Sequence, residues 1–256
     1  MRRELTDEEE LLLEEYSDIA YDERNGKVLR KRCFRKAIEI DPTDWDLHLG
    51  LIMLDFQGSE NADVILQKIE DIEKKAEDEL TEEGYWEDKG DFWYVFETRP
   101  YMRILLTKFH IYKAIKQTKE SIDLATKILE LNTKDNKGVR YSLMGLYAYT
   151  GDLDNAMKLY KKYPEDSSSF LFPLAYLYFV LGQEGKANQY LKKLHKENPY
   201  LLGFFCKGLS YFLDYDTPNF YSPGKESEVL VVMGENLYAY DNKPFDVFVE
   251  NFLDKE

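Results

Sequence analysis

The sequence predicts an all-α chain built as a solenoid of antiparallel helix pairs, and three observations predict it. The first is a pattern that occurs twice, 31 residues apart: Leu143, Tyr147, Gly151, Ala156 and Tyr160 align with Leu174, Tyr178, Gly182, Ala187 and Leu191. Apolar positions recur every four residues, break at a glycine, and resume at an alanine that allows close packing. This is helix, tight turn, helix. The second is punctuation: 8 Pro and 14 Gly leave long stretches free of breakers in 256 residues. The third is that 44% of residues are hydrophobic, enough for a continuous core that neighbouring pairs must bury together.

Each element follows from local signals. Residues 5–23 carry an apolar face of Leu5, Leu12, Tyr16, Ile19 and Tyr21, with Thr6 or Asp7 as cap and a stop at Asn25-Gly26. Lys27 to Ile40 turns Val28, Leu29, Cys33, Phe34, Ala37 and Ile38 inward and ends at Asp41-Pro42, because Pro42 cannot continue a helix. Asp44 caps a helix from Trp45 to about Phe56. Asn61 to about Leu80 follows, with Ile65, Leu66, Ile69, Ile72 and Ala76 on one face.

Residues 81–98 interrupt the rhythm with two glycines and the aromatics Tyr85, Trp86, Phe92, Trp93, Tyr94 and Phe96. They read as a loop and short helical turn plugging a joint in the array, or else as an aromatic recognition loop. Helices resume over 100–115, 118–131, 137–150, 153–162, 169–181 and 185–196, with Pro100 in a first turn and Thr150-Gly151 and Leu181-Gly182 as glycine stops. Beyond Asn198-Pro199 the reading is a helix over 200–213, a loop over 214–224, a helix over 226–240 containing Gly234, and a closing helix over 244–253. The run Val229–Met233 has strand propensity without a partner strand.

The spacing resembles the tetratricopeptide repeat, a helix-turn-helix unit of about 34 residues. Residues 168–199 carry it best, through Leu174, Ala175, Tyr178, Gly182, Ala187, Leu191, Leu194 and Pro199. Residues 137–163 match through Leu143, Tyr147, Gly151, Ala156 and Tyr160. Residues 11–44 look like a degenerate first repeat through Phe34, Ala37 and Pro42, and 102–133 fit loosely through Tyr112, Ser121, Ala125 and Ile128. The family's early tryptophan is missing from every repeat. The stretches Phe92–Arg103, Asn132–Tyr141 and Tyr221–Val232 also resemble a group of bacterial tetratricopeptide proteins distantly similar to the suppressor-of-tumorigenicity seven family, which implies no known reaction.

The resemblance implies one continuous right-handed superhelix: acidic degenerate repeats over 1–80, the aromatic interruption at 81–98, tetratricopeptide-like repeats over 99–199, and atypical capping helices over 200–256. It also implies a concave groove lined by the first helix of each pair. On this chain the exposed positions fall at Arg103, Leu106, His110, Lys113 and Ala114, then Gly138, Tyr141, Gly145, Ala148 and Tyr149, then Ser169, Phe172, Tyr176, Phe179 and Val180. Arg99 and Arg140 extend the basic part. Such a groove suits a peptide with an acidic end and an apolar body. In the other outcome Phe172, Tyr176 and Phe179 pack beneath the C-terminal helices and Arg103 pairs with the chain's own acidic groups.

Charge and motifs narrow the function. Net charge is −15, and residues 1–90 hold 27 acidic against 13 basic side chains, whereas residues 99–140 hold 10 basic against 4 acidic. A general nucleic-acid binder is not expected from such a balance. Cys33 and Cys206 are far apart in apolar contexts, so two free thiols in a reducing cytoplasm are expected. A leader segment and a membrane span are not expected: Glu8–Glu15 is charged, and the Pro173-containing stretch Phe170–Leu181 is too short.

His48, His110 and His195 lie on separate helices without metal-ligand spacing, and the phosphate-loop, dinucleotide and nucleophile-elbow motifs do not occur. The expectation is a non-catalytic, cofactor-free, cytoplasmic scaffold binding a protein or peptide. Its alternatives are a peptide-sensing regulator acting through a partner and a hydrolase with an unrecognised acidic site. Exposed Tyr and Phe at the array end leave room for a homo-oligomer.

Overall fold

The computed structural model describes residues 4–208, 210–211 and 220–255. Among them every regular element is helical. The chain falls into two compact units, residues 1–137 and 138–256.

Among its described residues the first unit holds three helix pairs. α1 (Asp7–Tyr21) packs on α2 (Lys27–Ile40), α3 (Trp45–Met53) on α4 (Ala62–Glu82), and α5 (Arg99–Ala114) on α6 (Thr118–Leu131). α3 also lies against α2 and α5, so successive pairs share one core. α1 starts where Thr6 and Glu9 form a reciprocal capping box, which satisfies two of the amides a helix start leaves open. Ala20, Cys33, Phe34, Ala37 and Leu47 bury the junction of the first pair with α3.

The interruption at 81–98 divides its aromatics. A 3₁₀ turn (Tyr85–Asp88) follows α4. Phe92 is fully buried against Trp86 and Tyr101, with ring centroids 5.2 and 6.5 Å away. The amides of Gly90 and Phe92 both donate to Leu131 O, at 3.2 and 3.0 Å, which ties the loop to the end of α6. Tyr94 and Phe96 turn outward. Phe92, with Trp86 against it, thus faces the core of the first unit, whereas Tyr94 and Phe96 face solvent.

The second unit carries the doubled pattern. α7 (Val139–Thr150) pairs with α8 (Leu153–Lys162), α9 (Ser168–Val180) pairs with α10 (Glu184–Glu197), and α7 packs on α9. Leu143, Ala156, Leu174, Ala187 and Leu191 are all buried. Gly151 and Gly182 close α7 and α9 at φ +75° and +71°, a left-handed backbone that a side chain resists.

α11 (Leu201–Phe205), α12 (Glu226–Glu235), a 3₁₀ turn (Leu237–Asp241) and α13 (Lys243–Leu253) complete the unit. Val229–Met233 is helical, not extended. α12 ends at Glu235, earlier than the expected residue 240, because the side-chain amide of the next residue, Asn236, donates back to Val232 O at 2.7 Å and competes with the helix ladder. The helix expected over 200–213 is interrupted by a turn after Phe205, with helical backbone again at 210–211, and its expected last residues together with the start of the 214–224 loop lie outside the described residues.

Candidate functional site

The first helices of the three pairs in the first unit line an open depression of about 650 Å³. α1 contributes Ser17 and Tyr21. α3 and its cap contribute Asp44, Asp46, Leu47, Leu49, Gly50 and Met53, and α5 contributes Arg103 and Thr107. Spacing explains the lining: Ser17 and Tyr21 are one helical turn apart, as are Arg103 and Thr107, so each pair presents one face.

The floor is apolar and the rim charged. Arg103 holds Asp46 in a two-pronged ion pair, Nε donating to Oδ1 at 2.6 Å and Nη2 to Oδ2. Asp44 caps α3, its Oδ1 accepting from the amides of Asp46 and Leu47 at 2.9 and 3.2 Å. Burial pushes the Asp44 carboxyl above its ordinary value, with the Asp46 charge adding to it. Tyr21 is likewise pushed well above the ordinary phenol value by burial, then by Asp46 and Asp44. The rim therefore presents a negative field, with Arg103 already engaged by Asp46.

The other expected site residues separate by place. Arg99 donates its Nε–H to Trp93 O at 2.9 Å and lies over the Phe96 ring. His110 is exposed at the far end of α5, beside Phe109, and Lys113 lies over the Phe109 ring. Arg140 pairs with Glu165 at 2.9 Å and stacks on Tyr141, whose hydroxyl is pushed up to about 12, first by burial. Of the three arginines expected in the basic part of the groove, Arg103 and Arg140 are thus engaged by carboxylates of this chain and Arg99 by a backbone carbonyl.

The aromatic end of the expected groove is covered. Phe172 and Tyr176 are buried, and Phe179 packs 5.2 Å from Phe245 and 4.8 Å from Phe248 of α13. A Cβ built on Gly145 would lie 3.1 Å from Asn236 Oδ1 and 3.3 Å from Glu235 O, so the end of α12 rests directly on α7. Tyr149 stays exposed, 5.6 Å from Tyr238.

Polar bonds pin the covering segment: Glu235 accepts from Ser142 Oγ at 2.6 Å, and Asn242 donates to Tyr176 Oη at 3.2 Å. The buried Glu228 carboxylate accepts from Ser168 Oγ, Asn198 Nδ2 and the Gly224 amide at 2.8–3.0 Å. The physical cause is α9 itself. Ten of its thirteen residues are buried, so it is apolar all round and needs cover on every side.

The sequence reading missed the α1–α3–α5 depression. Its signal was present in Asp44 and in the 17/21 and 103/107 spacings, but the repeat signature is weakest there. Among the described residues no group of three His, Cys, Asp or Glu side chains is placed to hold a metal ion, and no helix is long and apolar enough to cross a membrane.

Fold and site define an all-α protein of stacked helix pairs with an open, negatively rimmed groove in its first unit. No protein-family model and no curated protein matches the chain. Among solved structures it is similar to the crystal structure of MamA protein, at 17% identity over 72% of this chain and 91% of that one, with a TM-score of 0.47. It is also similar to a second MamA structure, MSR-1 C2, at 16% identity over 75% and 97% of the two chains, with a TM-score of 0.49.

Proposed function

We propose that this chain is a non-catalytic scaffold that binds a peptide segment of a protein partner in the depression formed by α1, α3 and α5. The observation that carries the reading is the contrast between the two units. The face of α7 and α9 that would line a groove is filled by the chain's own C-terminal helices, whereas the equivalent face of the first unit is open. Leu47, Leu49 and Met53 supply an apolar floor for alternate side chains of a bound segment. With Asp46 held by Arg103, Asp44 leaves the rim net negative, which favours a segment with a basic anchor over the acidic end expected from the sequence.

The test is selection of a displayed random peptide library on the purified protein, followed by affinity measurement on Thr107→Arg, which fills the groove from α5. Selected peptides should carry Lys or Arg beside apolar residues and should lose at least tenfold in affinity for the variant, about 1.4 kcal/mol. Peptides that bind the variant as tightly as the parent would place the site elsewhere.

A further inference from the structure

The outer edge of the first helix pair exposes aliphatic side chains flanked by charges. Among the described residues the α1–α2 pair rests on α3 along one flank, and a helix face that meets no neighbour is normally polar. Here Leu11, Leu12, Val28 and Leu29 are 68, 36, 85 and 44% exposed. On α1 the exposed residues Glu8, Leu11, Leu12 and Glu15 fall at i, i+3, i+4 and i+7, one continuous stripe. Ser17 and Tyr21 turn toward the groove from the opposite flank. On α2 the exposed residues Val28, Leu29, Arg32 and Lys36 form the matching stripe. Lys27 and Lys31 bind Asp55 at 3.1 and 2.5 Å, just beyond α3, so that flank faces inward and Leu29 and Lys36 face away.

The charges on the two helices are opposite. α1 carries 7 acidic side chains and no basic one, while α2 carries 6 basic and 1 acidic. Each stripe is thus a row of aliphatic side chains, edged by carboxylates on α1 and by cations on α2. A foreign partner would need to match both signs at once. A second copy does so automatically, because a two-fold axis lays each α1 across the partner's α2 twice, pairing glutamates with Arg and Lys and closing leucine on leucine.

We infer that the α1–α2 edge is an isologous dimer interface, with a second copy of this chain as its occupant. The two helices are roughly 22 Å long and together roughly 20 Å wide, a footprint on the order of 450 Å² per copy. The total of roughly 900 Å² lies at the low end for specific association, so the dimer forms in the micromolar range and dissociates as salt screens its charge pairs.

Sedimentation velocity across a concentration series tests this on the full chain, with Glu8→Lys/Glu15→Lys as one variant and Arg32→Glu/Lys36→Glu as the other. The wild type should shift from monomer to dimer as concentration rises. Each variant alone should remain monomeric, since its two stripes then repel. An equimolar mixture of the two should dimerise again, because both crossed contacts are once more opposite in sign. Leu12→Ser/Leu29→Ser should weaken the dimer at least tenfold without changing the charge. A wild type monomeric throughout, or a dimer indifferent to both charge variants, overturns the proposal.

Discussion

Asp44 shows how one side chain serves two ends. Its carboxylate caps α3 through two backbone amides, and the same placement half-buries it on the rim of the groove. Burial raises its pKa, so the ionised form is the penalised one in the folded state. The sign follows: the penalty is absent below the ordinary carboxylate value and grows as pH rises through the raised folded value. An asparagine side chain at this position would still accept from the α3 amides, without the charge. Asp44→Asn should therefore match or exceed wild-type thermal stability at neutral pH and lose that advantage under acid conditions. Asp44→Ala should cost about 1 kcal/mol, the usual loss for an N-cap. Thermal melts of the three proteins between neutral and acid pH check this, and an Asp44→Asn protein less stable than wild type only at neutral pH would reverse the assignment.

At the scale of elements, two glycines in the second unit have opposite meanings. Gly182 ends α9 at φ +71°, with its amide on Phe179 O and the Gln183 amide on Tyr178 O, both at 2.8 Å. Gly234 sits inside α12 without a left-handed backbone and with open space where a Cβ would go. Gly182→Ala should destabilise by roughly 1–2 kcal/mol, while Gly234→Ala should stabilise by about 0.5–1 kcal/mol. Urea titrations giving shifts of the same sign would contradict that account.

Local signals of this kind were legible in the sequence: the caps, the glycine stops, and helix starts and ends mostly within two residues. The covering of α9 was legible only as one of two outcomes. A helix apolar on all sides has no periodicity to say which face meets which neighbour. That Arg103 pairs with an acidic group of the chain was one of those outcomes, but spacing along one helix cannot reveal that Asp46, on a different helix pair, is the partner. Nor could it decide between an open groove and one filled by the C-terminal helices.

At the scale of the molecule, that covering decides how stability is distributed. Phe245 is fully buried, with ring centroids 5.1 Å from Tyr176, 5.2 Å from Phe179, 5.5 Å from Phe205 and 6.1 Å from Phe172. It joins α13 to α9 and α11, elements far apart along the chain but in one compact unit. Truncating it leaves a cavity the surrounding rings cannot close, at a cost of about 3–5 kcal/mol. In an array where each pair rests on its neighbours, such a loss is felt locally before it is felt globally. Phe245→Ala should therefore speed amide exchange by two or more orders of magnitude in α9, α10 and α13 and leave α1 to α4 at their wild-type rates. Equal acceleration in both units would mean that the chain unfolds as one cooperative body. The covering helices would then stabilise the whole chain, and the groove of the first unit would depend on a segment that contributes none of its lining.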